Sequence, residues 1–162
     1  MDRFVSTYTK KIDTKGRVSV PAAFRTTLAK DGFDGGIYCY PSLDTPALDA
    51  GGQTLVDKID GLIDELGPYS EGRDPLATAL FGESDILKID SDGRTVLPAR
   101  LLEHAGITKE VTFVGLGLKF QMWEPEAFNS YREQSRSQMA DLRKLLGAGK
   151  TTQSASKGVR DT

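Results

Sequence analysis

The chain has 162 residues, 38% hydrophobic and 27% charged, with a formal net charge of −2. That length suits one ordinary domain with a real core, and no apolar run of about 18 residues is present to span a bilayer. Cys39 is the single cysteine, which excludes an intrachain disulfide, and the start Met1 to Tyr8 lacks the basic and apolar regions of a secretory signal. A cytoplasmic location is expected.

The small net charge conceals a polarity along the chain. Residues 1–30 carry seven Lys/Arg against two Asp, residues 31–90 three against thirteen acids, and residues 91–162 eleven against eight. Positive charge is therefore concentrated at the N-terminal end, and the acidic pI does not exclude an anionic partner.

In chain order, Phe4 to Ile12 is a β-prone run rich in Thr, Val, Tyr and Phe. Asp13-Thr14-Lys15-Gly16 is a turn, with Asp at the position that favours it and Gly where a left-handed residue is needed. Arg17 to Val20 is expected to return antiparallel, closing a three-residue hairpin loop with a G1-type bulge. Pro21 opens a helix through Leu28, its missing N–H being harmless in a first turn. Gly36 to Pro41 is a further β-like run.

The acidic segment 42–84 follows. Leu55, Ile59, Leu62, Ile63 and Leu66 have helical spacing up to Gly67-Pro68, and Leu76 to Phe81 reads as a shorter helix. Asp85 to Ile89, the turn Asp90-Ser91-Asp92-Gly93, the strand Arg94 to Leu97 and a helix from Pro98 to His104 come next, with Gly106 as its cap. Val111 to Trp123 is again β-like. A helix from Pro125 carries Phe128, Tyr131, Met139, Leu142 and Leu145 on one side, and 147–162 has the composition of a disordered tail.

Two stretches of this series are one segment written twice. Residues 12–25 (Ile-Asp-Thr-Lys-Gly-Arg-Val-Ser-Val-Pro-Ala-Ala-Phe-Arg) and 89–102 (Ile-Asp-Ser-Asp-Gly-Arg-Thr-Val-Leu-Pro-Ala-Arg-Leu-Leu) keep Ile, Asp, Gly, Arg, Pro and Ala in register. One structural unit is used twice and is expected to bury its apolar face against its own copy.

Each loop projects chemistry. Asp13 and Arg17 flank the first turn closely enough to hydrogen-bond, which would fix the plane of the guanidinium. An oriented arginine reads guanine O6 and N7 or bridges a phosphate. Gly16 lets backbone approach a ligand, and Lys10, Lys11 and Lys15 add phosphate-neutralising charge. Asp90, Gly93, Arg94 and Lys88 repeat the set, but Asp92 replaces Lys15, so the second loop is expected to contribute less phosphate affinity. The plainer alternative is that each Asp–Arg pair only braces its turn, at about 0–1 kcal/mol.

Catalytic readings find no support. His104 is the sole histidine, so no nucleophile–histidine relay with several partners can be assembled, and Cys39 sits in an apolar strand as a small core residue. The stretch from Asp90 fails as a calcium loop because Gly93 comes two positions early and Leu101 stands where a glutamate is required. Gly115-Leu116-Gly117 lacks the third glycine of a dinucleotide fingerprint. No enzyme activity, metal or cofactor is expected.

The paired motifs, Asp13-Thr14-Lys15-Gly16-Arg17 with Val20-Pro21-Ala22 and Asp90-Ser91-Asp92-Gly93-Arg94 with Leu97-Pro98-Ala99, resemble the MraZ family, and each copy is similar to the swapped-hairpin module of AbrB-type regulators. The resemblance covers residues 4–146. It implies an α+β fold, mainly a β barrel, in which two AbrB-like halves interleave as an intrachain pseudo-dimer with surrounding helices. The corresponding divisions are a first half at 1–50, an acidic helical linker at 51–84, a second half with its C-terminal helix at 85–146, and the tail at 147–162.

It further implies a ring-shaped homo-oligomer associated with the nucleoid. This would bind short direct repeats of double-stranded DNA in the promoter of the division and cell-wall gene cluster, and repress it. The long acidic linker and the tail depart from the family pattern. The competing expectation is a non-catalytic interaction or assembly protein, antitoxin-like, that docks a protein partner on the barrel or on the acidic segment.

Overall fold

The computed structural model describes the backbone of residues 2–160 and the side chains of residues 2–147. The architecture is α+β. Its strands are β1 (Thr7–Lys11), β2 (Arg17–Ser19), β3 (Gly36–Pro41), β4 (Leu48–Gly51), β5 (Asp85–Lys88), β6 (Arg94–Val96), β7 (Glu110–Gly115) and β8 (Phe120–Trp123). Its helices are α1 (Ala22–Lys30), α2 (Gln53–Asp64), α3 (Arg73–Ala77), which runs into a π-helical turn at Thr78–Gly82, α4 (Ala99–Ala105) and α5 (Pro125–Arg160).

Local signals placed most of these elements. Pro21 and Pro98 stand as the N-caps of α1 and α4, and Gly106 ends α4 in the left-handed conformation at φ 64°. Gly16 and Gly93 take φ 79° and 80° at equivalent places in the two turns. At each tip the first Asp N–H donates to the Arg carbonyl at 2.8 Å, and the Gly N–H donates to the Asp carbonyl at 3.0 Å.

Pairing beyond the tips departs from a simple hairpin. Neither return strand forms a ladder with the strand before it. β1 pairs antiparallel with β7, β5 pairs with β3, and the two return strands pair with each other, Arg17 opposite Val96 and Ser19 opposite Arg94. Strands far apart in sequence thus pair with one another. The larger sheet runs β1-β7-β8-β4-β3-β5, with β2-β6 as a separate ribbon. The expected barrel is therefore not closed by hydrogen bonds: β1 and β5 remain the ends of the sheet, because the chain leaves each of them through a motif loop into the ribbon.

The repeat does bury its apolar positions against its copy. Val18, Val20, Phe24 and Leu28 of the first segment and Leu97, Leu101 and Ala105 of the second lie in one core with Phe4, Ile37, Cys39, Phe113, Phe120 and Met122. Thr95, the counterpart of Val18, is also buried. Phe24 is central to the aromatic packing, with ring centroids 4.9 Å from Phe120, 5.3 Å from Phe4, 5.5 Å from Tyr8 and 6.4 Å from Phe113.

Three features of the middle and second half depart from the sequence reading. The run Val111 to Trp123 is two strands, broken where Gly117 turns at φ 90°. Leu48–Gly51, within the acidic stretch, is an interior strand between β3 and β8. Its Asp49 is buried but satisfied: it accepts from Gln121 Nε2 at 2.8 Å and pairs with Lys119 Nζ at 3.0 Å, while Trp123 Nε1 donates to Gln121 Oε1 at 2.9 Å. A buried carboxylate persists only with such partners.

The third departure concerns α2, which buries Leu55, Ile59 and Ile63 against Tyr38, Tyr40 and Leu80 but leaves Leu62 47% exposed. The Tyr38 hydroxyl donates to the Leu80 carbonyl, and burial pushes that phenol up to about 12. β3 therefore has Ile37 and Cys39 in the main core and Tyr38 and Tyr40 in this second cluster, so both its faces are covered. Burial likewise raises the Cys39 thiol well above its usual range, which keeps it protonated and inert.

Contacts group the chain into two units, Met1–Pro125 and Glu126–Thr162. The helical trace of α5 runs to Arg160, past the Leu146 boundary where a tail was expected. The side chains of that stretch from 148 onward lie outside the described residues.

Candidate nucleic-acid interface

The β2–β6 ribbon sets the two motif loops side by side: Arg94 Nη1 of the second comes within 3.9 Å of Asp13 Oδ2 of the first. In loop one, Asp13 Oδ1 accepts the backbone N–H of Lys15 at 2.9 Å and of Arg17 at 2.8 Å, while its Oδ2 takes Arg17 Nε–H at 2.8 Å. The Arg17 backbone N–H, more than any other contact, holds the Asp13 carboxyl below the usual carboxylate range. Asp90 repeats the backbone part, accepting from Asp92 and Arg94 N–H at 2.9 Å each, and is lowered chiefly by the Arg94 N–H.

The side chains then diverge. Because Arg17 is held through Nε, its Nη edge makes no hydrogen bond among the described residues, while its charge also helps to lower Asp90 across the ribbon. Arg94 Nε stands 3.5 Å from Asp90 without a hydrogen bond, and its Nη2 is taken by Asp92 at 2.9 Å. The exchange of Lys15 for Asp92 therefore does more than lower charge. It supplies a carboxylate that occupies the arginine edge left open in loop one.

The remaining expected residues are dispersed. Lys10 and Lys11 alternate along β1, Lys10 half-buried on the side of Tyr8 and Lys11 exposed opposite Glu110, so one face cannot carry both. Lys15 is exposed at the first tip, and Lys88 ends the edge strand β5. His104 lies in the last turn of α4, beside a cleft with Arg100, Glu83 and Leu43.

One charged residue at the loops escaped the sequence reading. Arg25, on α1, lies against Gly93 of the second loop, and its Nε–H donates to the Val20 carbonyl at 3.2 Å. The available signal was a mismatch in the repeat, where the counterpart of Arg25 is Leu102.

Protonation of the turn aspartates has a defined sign. Their lowered pKa means that the stability they contribute is present above the normal carboxylate range, near pH 4, and is lost as pH falls through the lower folded value. Asp13→Asn is expected to flatten the acid limb of stability below about pH 4, as measured by urea unfolding across pH. Superimposable acid limbs for the variant and the parent would refute this.

Fold and site together define a β-rich scaffold that presents a duplicated Asp-x-x-x-Arg loop module. A family model described as "MraZ protein, putative antitoxin-like" matches residues 80–147. Proteins named "Transcriptional regulator MraZ" are similar over most of the chain. The one from Methylocella silvestris is 57% identical, covering 91% of this chain and 90% of its own, and that from Xanthobacter autotrophicus is 56% identical, covering 91% and 94%. A more distant relative from Pelagibacter ubique is 46% identical over 82% of this chain and 85% of its own. The chain belongs to the MraZ family.

Proposed function

We propose that this protein is a transcription regulator that binds double-stranded DNA through its paired hairpin loops, with no catalytic step. The observation that carries the reading is Arg17, held through Nε by Asp13 with its Nη edge open. That edge matches the two acceptors of guanine or the oxygens of a phosphate. Exposed Lys15 next to it supplies sequence-independent attraction. The exchange of strands between the halves supports an intrachain pseudo-dimer of swapped hairpins, which places both loops on one ribbon.

The finer reading is a cytoplasmic, nucleoid-associated repressor that recognises short direct repeats in the promoter of the division and cell-wall cluster. Assembly into a ring multiplies weak contacts along repeated sites through effective concentration. The competing protein-docking reading is weakened at the acidic segment. Leu55, Ile59 and Ile63 of α2 are already covered, leaving Leu62 half-exposed and Asp57, Asp60, Asp64 and Glu65 solvated.

Titration of the DNA upstream of the gene against an unrelated duplex of equal length, at physiological salt, tests the proposal. Tighter binding to the upstream DNA by about 10³-fold or more is expected of a specific regulator. Equal affinity for the two duplexes would overturn it.

A further inference from the structure

The two loop glycines have nearly the same φ, 79° and 80°, and opposite surroundings. Around Gly16 a β-carbon would meet nothing within 4 Å, whereas at Gly93 it would fall 2.6 Å from Arg25 Cζ, 2.7 Å from Nη1 and 2.9 Å from Nε. The guanidinium of Arg25 therefore lies directly over the Gly93 backbone, in space that any larger residue would fill. Gly93 is buried beneath it while the arginine itself remains exposed.

The contact joins the halves, because Arg25 belongs to the first repeat and Gly93 to the second. Val20 N–H donates to the Gly93 carbonyl at 2.9 Å, and Arg25 Nε–H donates to the Val20 carbonyl at 3.2 Å, so one short chain of hydrogen bonds ties the guanidinium to the loop. By the internal repeat, the residue that would serve loop one in this way is Leu102, which is partly buried against the core instead. The pseudo-symmetry of the module is broken at this position.

Charge explains what the break achieves. Loop two holds Asp90 and Asp92 against Arg94, and Arg94 Nη2 is occupied by Asp92. Arg25 is not consumed in this way: among the described residues no carboxylate lies within ion-pair distance of it, and its one hydrogen bond uses Nε. Two Nη groups are left at the surface of a loop that lacks its own free cation.

We propose that Arg25 and the second loop together form a phosphate-binding site for the nucleic-acid backbone, in which α1 supplies the cation that Asp92 replaced. This rests on the reading of the ribbon face as the DNA-binding face. Loop one then carries its cation in its own sequence at Lys15, and loop two borrows one from the other half of the molecule.

The test is the salt dependence of binding to the upstream duplex by the full chain, compared for Arg25→Leu, Arg17→Ala and the double variant Arg25→Leu with Asp92→Lys. Arg25→Leu places the second repeat's own residue at this position, and melting temperature checks that the fold persists. The slope of log affinity against log salt is expected to fall by about 0.9 in Arg25→Leu, and to recover in the double variant. An unchanged slope in Arg25→Leu, with Arg17→Ala clearly weakened, would overturn this proposal alone and leave Arg25 as a brace for Gly93. Unchanged binding in both single variants would overturn the DNA-face reading and this site with it.

Discussion

Arg17→Ala is expected to weaken binding to the upstream DNA by about 1–3 kcal/mol for each loop that engages a base pair. The loss compounds wherever several protomers bind one array of sites. Two effects act together: the Nη groups disappear, and Asp13, which Arg17 had paired at 2.8 Å, keeps only Arg94 Nη1 at 3.9 Å as a cationic side-chain neighbour. Arg94 needs a more careful comparison, since deleting it uncovers Asp90 and Asp92 at once. Measured in an Asp92→Asn background, Arg94→Ala is expected to cost less than Arg17→Ala in the parent. The reverse order, in a gel-shift or anisotropy titration, would contradict the assignment of loop one as the principal contact.

Phe24→Ala carries the largest expected effect on stability, about 3–5 kcal/mol. The side chain is fully buried among Phe4, Tyr8, Phe113 and Phe120, rings that come from both ends of the β1–β7–β8 region. Its repeat mate Leu101 is equally buried but smaller, so Leu101→Ala is expected to fall at about 2–5 kcal/mol and at or below the Phe24 value. Urea unfolding of the two variants tests both the magnitude and the order. A cost under about 1 kcal/mol at Phe24 would mean that the aromatic cluster is not the centre of the core. Since Arg25 follows Phe24 on the same helix, such a result would also weaken the case for a rigid α1 holding a cation over Gly93.

Much of the local geometry is legible in the sequence itself. The left-handed glycines at 16 and 93, the prolines before α1 and α4, and the cap at Gly106 follow from steric rules that act within a few residues. Asp13 and Asp90 satisfy backbone N–H groups two and four residues on, so their role needs nothing beyond the turn itself. The site was harder to read where distant chain meets it. Lys10 and Lys11 look like one patch in sequence, yet strand alternation sends them to opposite faces of β1. Leu48–Gly51 has too short and mixed a pattern to announce a strand, and it becomes one because β3 and β8 provide ladders on both sides.

By itself, then, the sequence determined that a single turn–strand–helix unit occurs twice, with the same aspartate, glycine and arginine at each tip. Those features depend on hydrogen bonds and dihedral preferences that close over four or five residues. Only the tertiary structure decided which strands those units pair with, and with which charges their arginines are surrounded. β2 finds β6 rather than β1, which sets the two loops together and brings Arg94 Nη1 to 3.9 Å from Asp13 of the other loop. The same crossing of the halves brings Arg25 onto Gly93. Sequence made the two loops unequal at Lys15 and Asp92, and long-range packing added to it, because loop two also meets Arg25 of the other half, a residue the repeat does not preserve.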